Sequence, residues 1–151
     1  MTRVLAYRPN EVERPCPKPT PDTEEFWRAT VNGELCVQVC GSCAHKQYPP
    51  RLYCEACLEP ASKSSLVPVS GQGEVLSFSV VRRPPSPGWA EHVPYVVALV
   101  HLEEGPQLLT NIIEYPVEEI AVGMKVQLVF ERCSDDAATP RFTADRKSGR
   151  K

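Results

Sequence analysis

Four cysteines near the middle of the chain have the spacing of a metal site. They form a C-x2-C-x10-C-x2-C array made of Cys40, Cys43, Cys54 and Cys57. Each C-x2-C pair can lie on a tight turn that directs two sulfurs inward, and two such turns facing one another complete a tetrahedron around Zn²⁺. All four positions are then filled by protein, whereas a catalytic zinc keeps one position open for water or substrate. The array therefore predicts a structural zinc ribbon, with iron in a rubredoxin-like centre as the alternative metal.

The number and spacing of the cysteines indicate a reducing environment. The chain has seven cysteines, an odd number, and the ribbon spacing favours reduced thiols around a metal over a secreted disulfide framework. Cys16, Cys36 and Cys133 have no mutual spacing that suggests a site, and we assign them no role. We expect a cytoplasmic protein.

Length and charge exclude several classes of function. The 151 residues suffice for one small domain with an appendage. No apolar run of membrane-spanning length and no signal peptide is present, so we expect a soluble protein without a membrane partner. The formal charge of −2 becomes about −4 once four thiolates and one Zn²⁺ are counted, which argues against general nucleic-acid binding.

No group of residues forms a recognisable catalytic unit. The chain has three histidines, and none belongs to a Ser/His/Asp or Cys/His signature. His45 follows Cys43 closely, but four thiolates already complete the zinc site, so we interpret it as an exposed residue of the turn. We predict no catalytic residue in this chain.

The first third of the chain, which precedes the metal site, predicts an extended arm and a short helix. Residues 1–21 contain five prolines and predict an extended arm. A short helix follows, beginning with an N-cap at Asp22 and ending at Asn32-Gly33. Its aromatic residues, Phe26 and Trp27, must pack on the ribbon or on another subunit, because so short a helix is marginal alone.

We divide the chain into an arm and helix (1–33), a zinc ribbon (34–68), an OB-fold domain (69–145) and a basic tail (146–151).

The second half has the pattern of a small β-barrel. Short apolar runs of strand length alternate with glycine and proline, and Glu103–Pro106 predicts a hairpin between the second and third runs. Five short strands with a break between the third and fourth are typical of an OB-fold, so the fold class is mainly β. The five predicted strands are Gly73–Arg82, Tyr95–Leu102, Gln107–Ile113, Met124–Arg132 and Pro140–Ala144.

Several motifs in a fixed order resemble the DUF35 family. A helix with FW is followed by GEL-x-VQ-x-C-x2-C, PPR, C-x2-C, G-x-GEVLSFSVV, PYVVALVHLEEG and VGMKVQLVF. The resemblance runs from about Asp22 to Ala144 and implies a rubredoxin-like zinc ribbon followed by an OB-fold associated with acyl-CoA. One departure is Ala44, where the family usually has glycine, and alanine there is strained if its φ is positive.

The resemblance also implies a function. Members of the family resemble small partner subunits of thiolase-fold enzymes, such as acyl-CoA thiolases and aldolases that cleave steroid side-chain CoA thioesters. We therefore expect an accessory subunit in a hetero-oligomer with a thiolase-fold large subunit, which would supply the reacting groups. The small subunit would help to bind or cover the acyl-CoA.

Contacts with coenzyme A or with the large subunit require cations and apolar surface. Arg51 is the favoured cation, because its PPR setting restricts the backbone. The pair Arg82-Arg83 ends the first barrel strand, and the loop that follows contains Trp89, an aromatic residue suited to interfaces. The alternative for Trp89 is a side chain folded back over the barrel. Phe26 and Trp27 complete the candidate set.

Two other functions stay open. One is a stand-alone acyl-CoA-binding protein, which would bind its ligand without a large subunit. The other, ranked third, is a single-stranded nucleic-acid-binding module, which needs stacked aromatics in a positive groove. The strands offer few aromatic residues for this in an acidic chain, chiefly Phe78, Tyr95, Phe130 and Phe142.

Overall fold

The fold is mainly β, as the sequence predicts. The computed structural model describes residues 2–5 and 15–145. In these ranges there are one α-helix and nine strands, with helix α1 at Glu24–Val31. The strands are β1 (Arg3–Leu5), β2 (Cys36–Cys40), β3 (Lys46–Gln47), β4 (Ser64–Pro68), β5 (Gln72–Val81), β6 (Tyr95–Leu102), β7 (Gln107–Ile112), β8 (Lys125–Arg132) and β9 (Ala138–Ala144).

Strands β5 to β9 form a closed five-stranded barrel of OB type. Their order is β5-β6-β7-β9-β8, and β8 closes the barrel by pairing with β5. All of these pairings are antiparallel except the one between β7 and β9. The predicted hairpin is confirmed, because β6 and β7 pair from His101↔Gln107 to Val96↔Ile112. The five strands predicted from the apolar runs match these five strands closely.

Buried and half-exposed residues alternate along β6, so one face of this strand lines the barrel core. Its inward residues are among the most buried of the described chain: Val96, Ala98, Val100 and Leu102. Successive side chains of a strand point to opposite faces, so this period of two places one apolar row inside. Phe130 and Phe142 fill the interior from β8 and β9, and both have 0% exposure.

The arm contributes a strand that the sequence did not predict. Residues Arg3–Leu5 pair in parallel with β8, with Val4 opposite Phe130. Three residues are too few to show an alternating pattern, and their partner lies more than a hundred positions away. Residues 6–14 of the predicted arm and the predicted basic tail at 146–151 lie outside the described residues.

Helix α1 begins one residue later than expected. Thr23, rather than Asp22, is the N-cap, and its Oγ1 accepts a hydrogen bond from the Thr20 N–H at 3.0 Å. The predicted stop is confirmed: Asn32 is the C-cap, and Gly33 takes a φ of 82°, which glycine adopts readily.

The helix is fixed to the barrel through a buried side chain. Thr30 has 0% exposure, and its Oγ1 accepts a hydrogen bond from the Ala138 N–H of β9 at 3.2 Å. Phe26 packs edge to face against Tyr48, with ring centroids 5.8 Å apart. The helix therefore packs on the segment between the two cysteine pairs, the first of the two alternatives that the sequence left open.

Strands β2, β3 and β4 form a separate three-stranded sheet in the order β3-β2-β4. Leu35 and Val37, which lead into the first cysteine pair, belong to the same buried cluster as Phe26 and the barrel interior. The cysteine-rich segment, the helix and the barrel thus share one apolar core. No helix in the described ranges is long and apolar enough to span a lipid bilayer.

Two cysteines without a predicted role are joined. Cys16 and Cys133 form a disulfide across 117 positions, with their Cα atoms 5.7 Å apart. From the sequence we assign these two cysteines no role and favour reduced thiols over a disulfide framework, so this one disulfide is a finding of the structure. Sequence spacing could not reveal it, because only the folded chain brings the residues after the arm beside the end of β8.

Candidate metal centre

The four predicted metal-binding cysteines meet at one point. The sulfur atoms of Cys40, Cys43, Cys54 and Cys57 all lie within 4.8 Å of one another. Cys40 Sγ is 3.6 Å from Cys57 Sγ, and Cys43 Sγ is 3.7 Å from Cys54 Sγ. A tetrahedral ion with metal–sulfur bonds of about 2.3 Å separates its sulfurs by about 3.8 Å. The donor set and its spacing therefore fit one tetrahedral metal ion.

The two cysteine pairs lie on matching turns. The Ala44 N–H donates to the Cys40 carbonyl, and the Leu58 N–H donates to the Cys54 carbonyl, both at 2.9 Å. Ala44 and Leu58 directly follow the second cysteine of their pairs and have φ angles of 60° and 63°. Each turn curls the backbone so that both sulfurs of a pair point to the same side. The strain expected at Ala44 for a positive φ is thus present.

Burial and hydrogen bonding differ among the four thiols. Cys40 and Cys54 are buried, at 3% and 1% exposure, whereas Cys43 and Cys57 are exposed. The backbone N–H groups of Cys43 and Ser42 donate to the Cys40 sulfur and lower the pKa of its thiol to about 6. This favours the thiolate, which is the form that binds a metal.

Two buried glutamines hold the cysteine turns together. The Gln47 side-chain amide donates to Gln38 Oε1 and to the Tyr53 carbonyl, both at 3.0 Å. Gln47 Oε1 accepts from the Glu55 N–H at 2.9 Å. Gln38 in turn accepts from the Arg51 N–H at 2.7 Å and donates to the Arg51 carbonyl at 3.0 Å. The pair thereby connects β2 and β3 to the segment that carries the second cysteine pair.

Sequence reasoning missed these glutamines. The sequence predicts no role for Gln38, although a polar residue inside the apolar run LCVQV is the available signal. Both side chains are nearly fully buried, at 4% and 3% exposure. Buried amides need such partners, because an unsatisfied polar group in the interior is costly.

His45 makes a second link between the turns. Its Nε2 lies 2.9 Å from Glu55 Oε1, so a residue two positions after the first cysteine pair contacts a residue inside the second pair. The four sulfurs form the metal cluster without it.

The candidate contact residues are distributed over two parts of the molecule. Arg51 is exposed beside the metal centre, and its backbone is held by Gln38. Arg82 and Arg83 are exposed just after β5. Phe26 is 3% exposed and belongs to the core, so it offers almost no surface to a ligand or partner, whereas Trp27 is half-buried.

Trp89 lies back against the barrel. Its ring packs on Tyr95 of β6, with the ring centroids 4.6 Å apart. Both rings line a cavity of about 210 Å³ that Asn111 and Arg141 also line. Arg141 Nε donates to Glu131 at 3.0 Å, and its Nη1 donates to Asn111 Oδ1. This volume is below the about 300 Å³ at which small-molecule pockets begin, so the cavity is too small for a whole acyl-CoA.

Known proteins share this architecture. The family described as "ChsH2, C-terminal OB-fold domain" matches residues 66–131. A solved structure described as an "Ltp2-ChsH2(DUF35) aldolase" superposes with a TM-score of 0.73 at 32% identity, over 85% of this chain and 98% of the compared chain.

Two curated relatives extend the comparison. A "Probable enoyl-CoA hydratase alpha subunit" of Thermomonospora curvata is 32% identical over 149 residues, which are 93% of this chain but only 46% of the relative. The chain thus spans less than half the length of that relative. A "DUF35 domain-containing scaffold protein" of Methanothermobacter thermautotrophicus is 30% identical over 109 residues, covering 72% of this chain and 77% of the relative. With the cysteine cluster, the OB-type barrel and these matches together, the chain belongs to the DUF35 family.

Proposed function

We propose that this protein is a zinc-containing accessory subunit of a thiolase-fold acyl-CoA enzyme that makes or breaks a carbon–carbon bond in an acyl-CoA thioester. The observation that carries the proposal is the likeness to the Ltp2-ChsH2(DUF35) aldolase structure, which extends over 98% of the compared chain. In this proposal a thiolase-fold large subunit supplies the reacting groups. The DUF35 chain stabilises that subunit and helps to bind or cover the acyl-CoA.

The names of the relatives favour an accessory role for this chain over a catalytic role. The same segment is shared by proteins named as a hydratase alpha subunit, a scaffold protein and an aldolase. A segment common to three differently named proteins does not by itself distinguish their reactions. We therefore assign the bond-making or bond-breaking groups to the partner.

We propose zinc as the metal. Four thiolates at tetrahedral spacing form a closed site, so zinc would act as a cross-link between the two cysteine turns. Iron is the alternative. Elemental analysis of the purified chain should give one zinc per chain and no visible absorption, whereas one iron per chain with a coloured thiolate-to-iron band would select the alternative.

The proposed contacts with partner or acyl-CoA use exposed arginines and half-buried tryptophans on both parts of the molecule. Arg51 is favoured, because its backbone is held at both N–H and carbonyl while its side chain is exposed. A guanidinium on a fixed backbone can bind a phosphate or carboxylate bidentately with little loss of entropy. Trp27, Arg82, Arg83 and Trp89 are proposed as further contacts.

The other two functions rank lower for physical reasons. A stand-alone acyl-CoA-binding protein needs a pocket of its own, and the cavity beside Trp89 is only about 210 Å³. A larger cavity of about 500 Å³ is lined by three carboxylates, Glu24, Asp135 and Asp136, and by one arginine, so its net negative charge disfavours the phosphates of coenzyme A. A single-stranded nucleic-acid-binding face needs several exposed aromatic rings, but Phe130 and Phe142 are fully buried and Tyr95 packs against Trp89, which leaves Phe78 as the exposed one of the four candidates. The proposed location is the cytoplasm, where the metal-binding thiols stay reduced.

Affinity purification of the tagged chain from its own host tests the central proposal. We expect a thiolase-fold protein to copurify in stoichiometric amount. Recovery of the zinc-loaded chain alone, together with measurable acyl-CoA binding, would replace the proposal with the stand-alone binder. Salt-dependent retention of an oligonucleotide would instead favour the nucleic-acid module.

A further inference from the structure

The disulfide between Cys16 and Cys133 lies where the chain has little other attachment. Cys16 belongs to residues 15–19, which read PCPKP and are called the proline segment below. Within the described chain, no backbone hydrogen bond joins this segment to the barrel. Three of its five residues are prolines, which have no N–H to donate. The disulfide to Cys133 is therefore its covalent attachment to the barrel end.

The structures on both sides of the disulfide are held independently of it. Cys133 begins the turn between β8 and β9, and its N–H donates to the Ala137 carbonyl at 3.1 Å. Arg132 Nε donates to the Ser134 carbonyl of the same turn at 3.1 Å. On the other side, the Thr30 hydroxyl fixes α1 to β9. Opening the disulfide would therefore release the proline segment without unfolding the turn or the helix.

The segment continues into one wall of a cavity. This cavity has a volume of about 500 Å³ and lies between the segment, α1 and the β8–β9 turn. Its lining includes Pro19 from the segment, Arg28 from α1, and Asp135 and Asp136 from the turn. The disulfide connects two of the three walls, because Cys133 lies two residues before Asp135.

We propose that Cys16 and Cys133 are a reversible thiol–disulfide modification site that, when oxidised, fastens the proline segment to the β8–β9 turn and so holds one wall of this cavity in place. Formation consumes one molecule of a low-molecular-weight disulfide such as glutathione disulfide. Both S–H bonds break and one S–S bond forms in the protein. The reagent's S–S bond accepts two electrons and takes up the two protons as two thiols.

The other thiols are less suited to this exchange. The four sulfurs of the metal cluster are committed to metal binding as thiolates in the proposed zinc form. Cys36 is buried at 4% exposure, and this burial raises the pKa of its thiol, which disfavours the reactive thiolate. Cys16 and Cys133 are both only partly buried.

The test uses the full zinc-loaded chain in a series of glutathione redox buffers. Alkylation followed by mass spectrometry should find Cys16 and Cys133 linked at oxidising ratios and both labelled at reducing ratios, with the zinc content unchanged. Backbone ¹⁵N relaxation should report the consequence at Lys18, whose order parameter should fall below about 0.6 on reduction while α1 stays near about 0.85.

Three variants make the outcome specific. In both Cys16→Ser and Cys133→Ser, Lys18 should be mobile at every glutathione ratio, and either variant suffices if the other fails to fold. Cys36→Ser, the control, should keep the full redox response. The proposal is wrong if Cys16 and Cys133 stay unlinked at every ratio that leaves zinc bound, or if Lys18 is equally ordered in the oxidised and reduced protein.

Discussion

Among single residues, the buried candidate ligand Cys54 allows the sharpest test of the proposed metal centre. Replacing it with alanine removes one of four sulfurs and leaves the others without a complete tetrahedron. Structural zinc affinity is part of the folding free energy, so Cys54→Ala should lose its zinc and unfold or aggregate. Elemental analysis and circular dichroism measure this outcome.

Cys36→Ala is the matched control for this change. Cys36 is also a buried cysteine on the strand that leads into the cluster, but its sulfur is not a member. We expect the control to keep one zinc per chain and to lose at most about 1 kcal/mol for a small cavity. Equal zinc content in Cys54→Ala and the control would contradict the four-cysteine site.

The backbone of Ala44 makes a second residue-level test possible. Its φ of 60° is unfavourable for a residue with a Cβ and costs about 1 to 2 kcal/mol. Ala44→Gly should relieve this strain and raise the free energy of unfolding by about 1 kcal/mol, after the larger entropy loss of glycine is subtracted.

Ala56→Gly shows whether the gain is specific to a positive φ. Ala56 is an exposed alanine inside the second cysteine pair, and it is not among the described residues with positive φ. We expect this control to lose stability by about 0.5 to 1 kcal/mol. A loss in both variants, measured by chemical denaturation with zinc present, would mean that Ala44 is not strained.

At the scale of residues, the sequence predicted what depends on local spacing. The four cysteines occupy two short C-x2-C turns, and the geometry of each turn is set within a few residues. Arg141 and the Cys16–Cys133 disulfide could not be predicted in this way. Arg141 donates to Asn111 of β7, and Cys16 of the arm meets Cys133 after β8, so both contacts arise only in the folded chain.

At the scale of elements, the glutamine pair shows how strands support the metal centre. Gln47 on β3 uses both its amide oxygen and its amide nitrogen to hold the second cysteine segment. Gln47→Glu would replace the donating NH2 group with a second acceptor facing the Gln38 and Tyr53 oxygens. We expect faster zinc release to a chelator, by about tenfold, because second-shell partners tune metal affinity to that degree.

An exposed glutamine provides the comparison. Gln107→Glu on β7 makes the same chemical change at a surface position. Its rate of zinc transfer to a chromogenic chelator should equal that of the unmodified chain. Identical rates for Gln47→Glu and the unmodified chain would remove the glutamine pair from the support of the metal site.

Strand patterns explain which elements were predictable. The β6 sequence YVVALVHL buries every second residue, so its inward face can be read directly from the alternation. Strand β1 has three residues and a parallel partner far along the chain, and neither property leaves a local pattern. The start of α1 moved by one residue because the turn from Thr20 to Thr23 supplies the N-cap.

At the scale of the whole molecule, Glu104 joins the three-stranded sheet of β2, β3 and β4 to the barrel. It lies in the β6–β7 turn, and its Oε1 accepts from the N–H of Ser70, in the linker between β4 and β5, at 2.6 Å. Lys46 of β3 donates to the Glu104 carbonyl at 3.4 Å. One turn of the barrel thus contacts both the linker and the sheet beside the metal centre.

The Glu104 contacts should make the free energy of unfolding depend on pH. Partial burial acts to raise the pKa of Glu104, but hydrogen bonds from Ser70 and from the Glu104 backbone, together with the charge of Lys46, outweigh it, and the pKa is lower than its usual value. A carboxyl group with a lowered pKa in the folded state stabilises the fold above its unfolded pKa of about 4.3, and this contribution is lost as the pH falls through the folded value. Glu104→Gln should therefore be less stable than the unmodified chain by about 1 kcal/mol at pH 7, with the difference shrinking below about pH 4.3.

Denaturation curves from pH 7 down to pH 3.5 for the two zinc-loaded proteins measure this difference. Acid also protonates the metal-binding thiolates, but it does so in both proteins, so the comparison isolates the carboxyl group. The adjacent Glu103→Gln is the control, because Glu103 is exposed and its neutralisation should change stability by less than about 0.5 kcal/mol. A stability difference for Glu104→Gln that stays constant through the acid range would show that packing, and not the charge of Glu104, holds the two parts together.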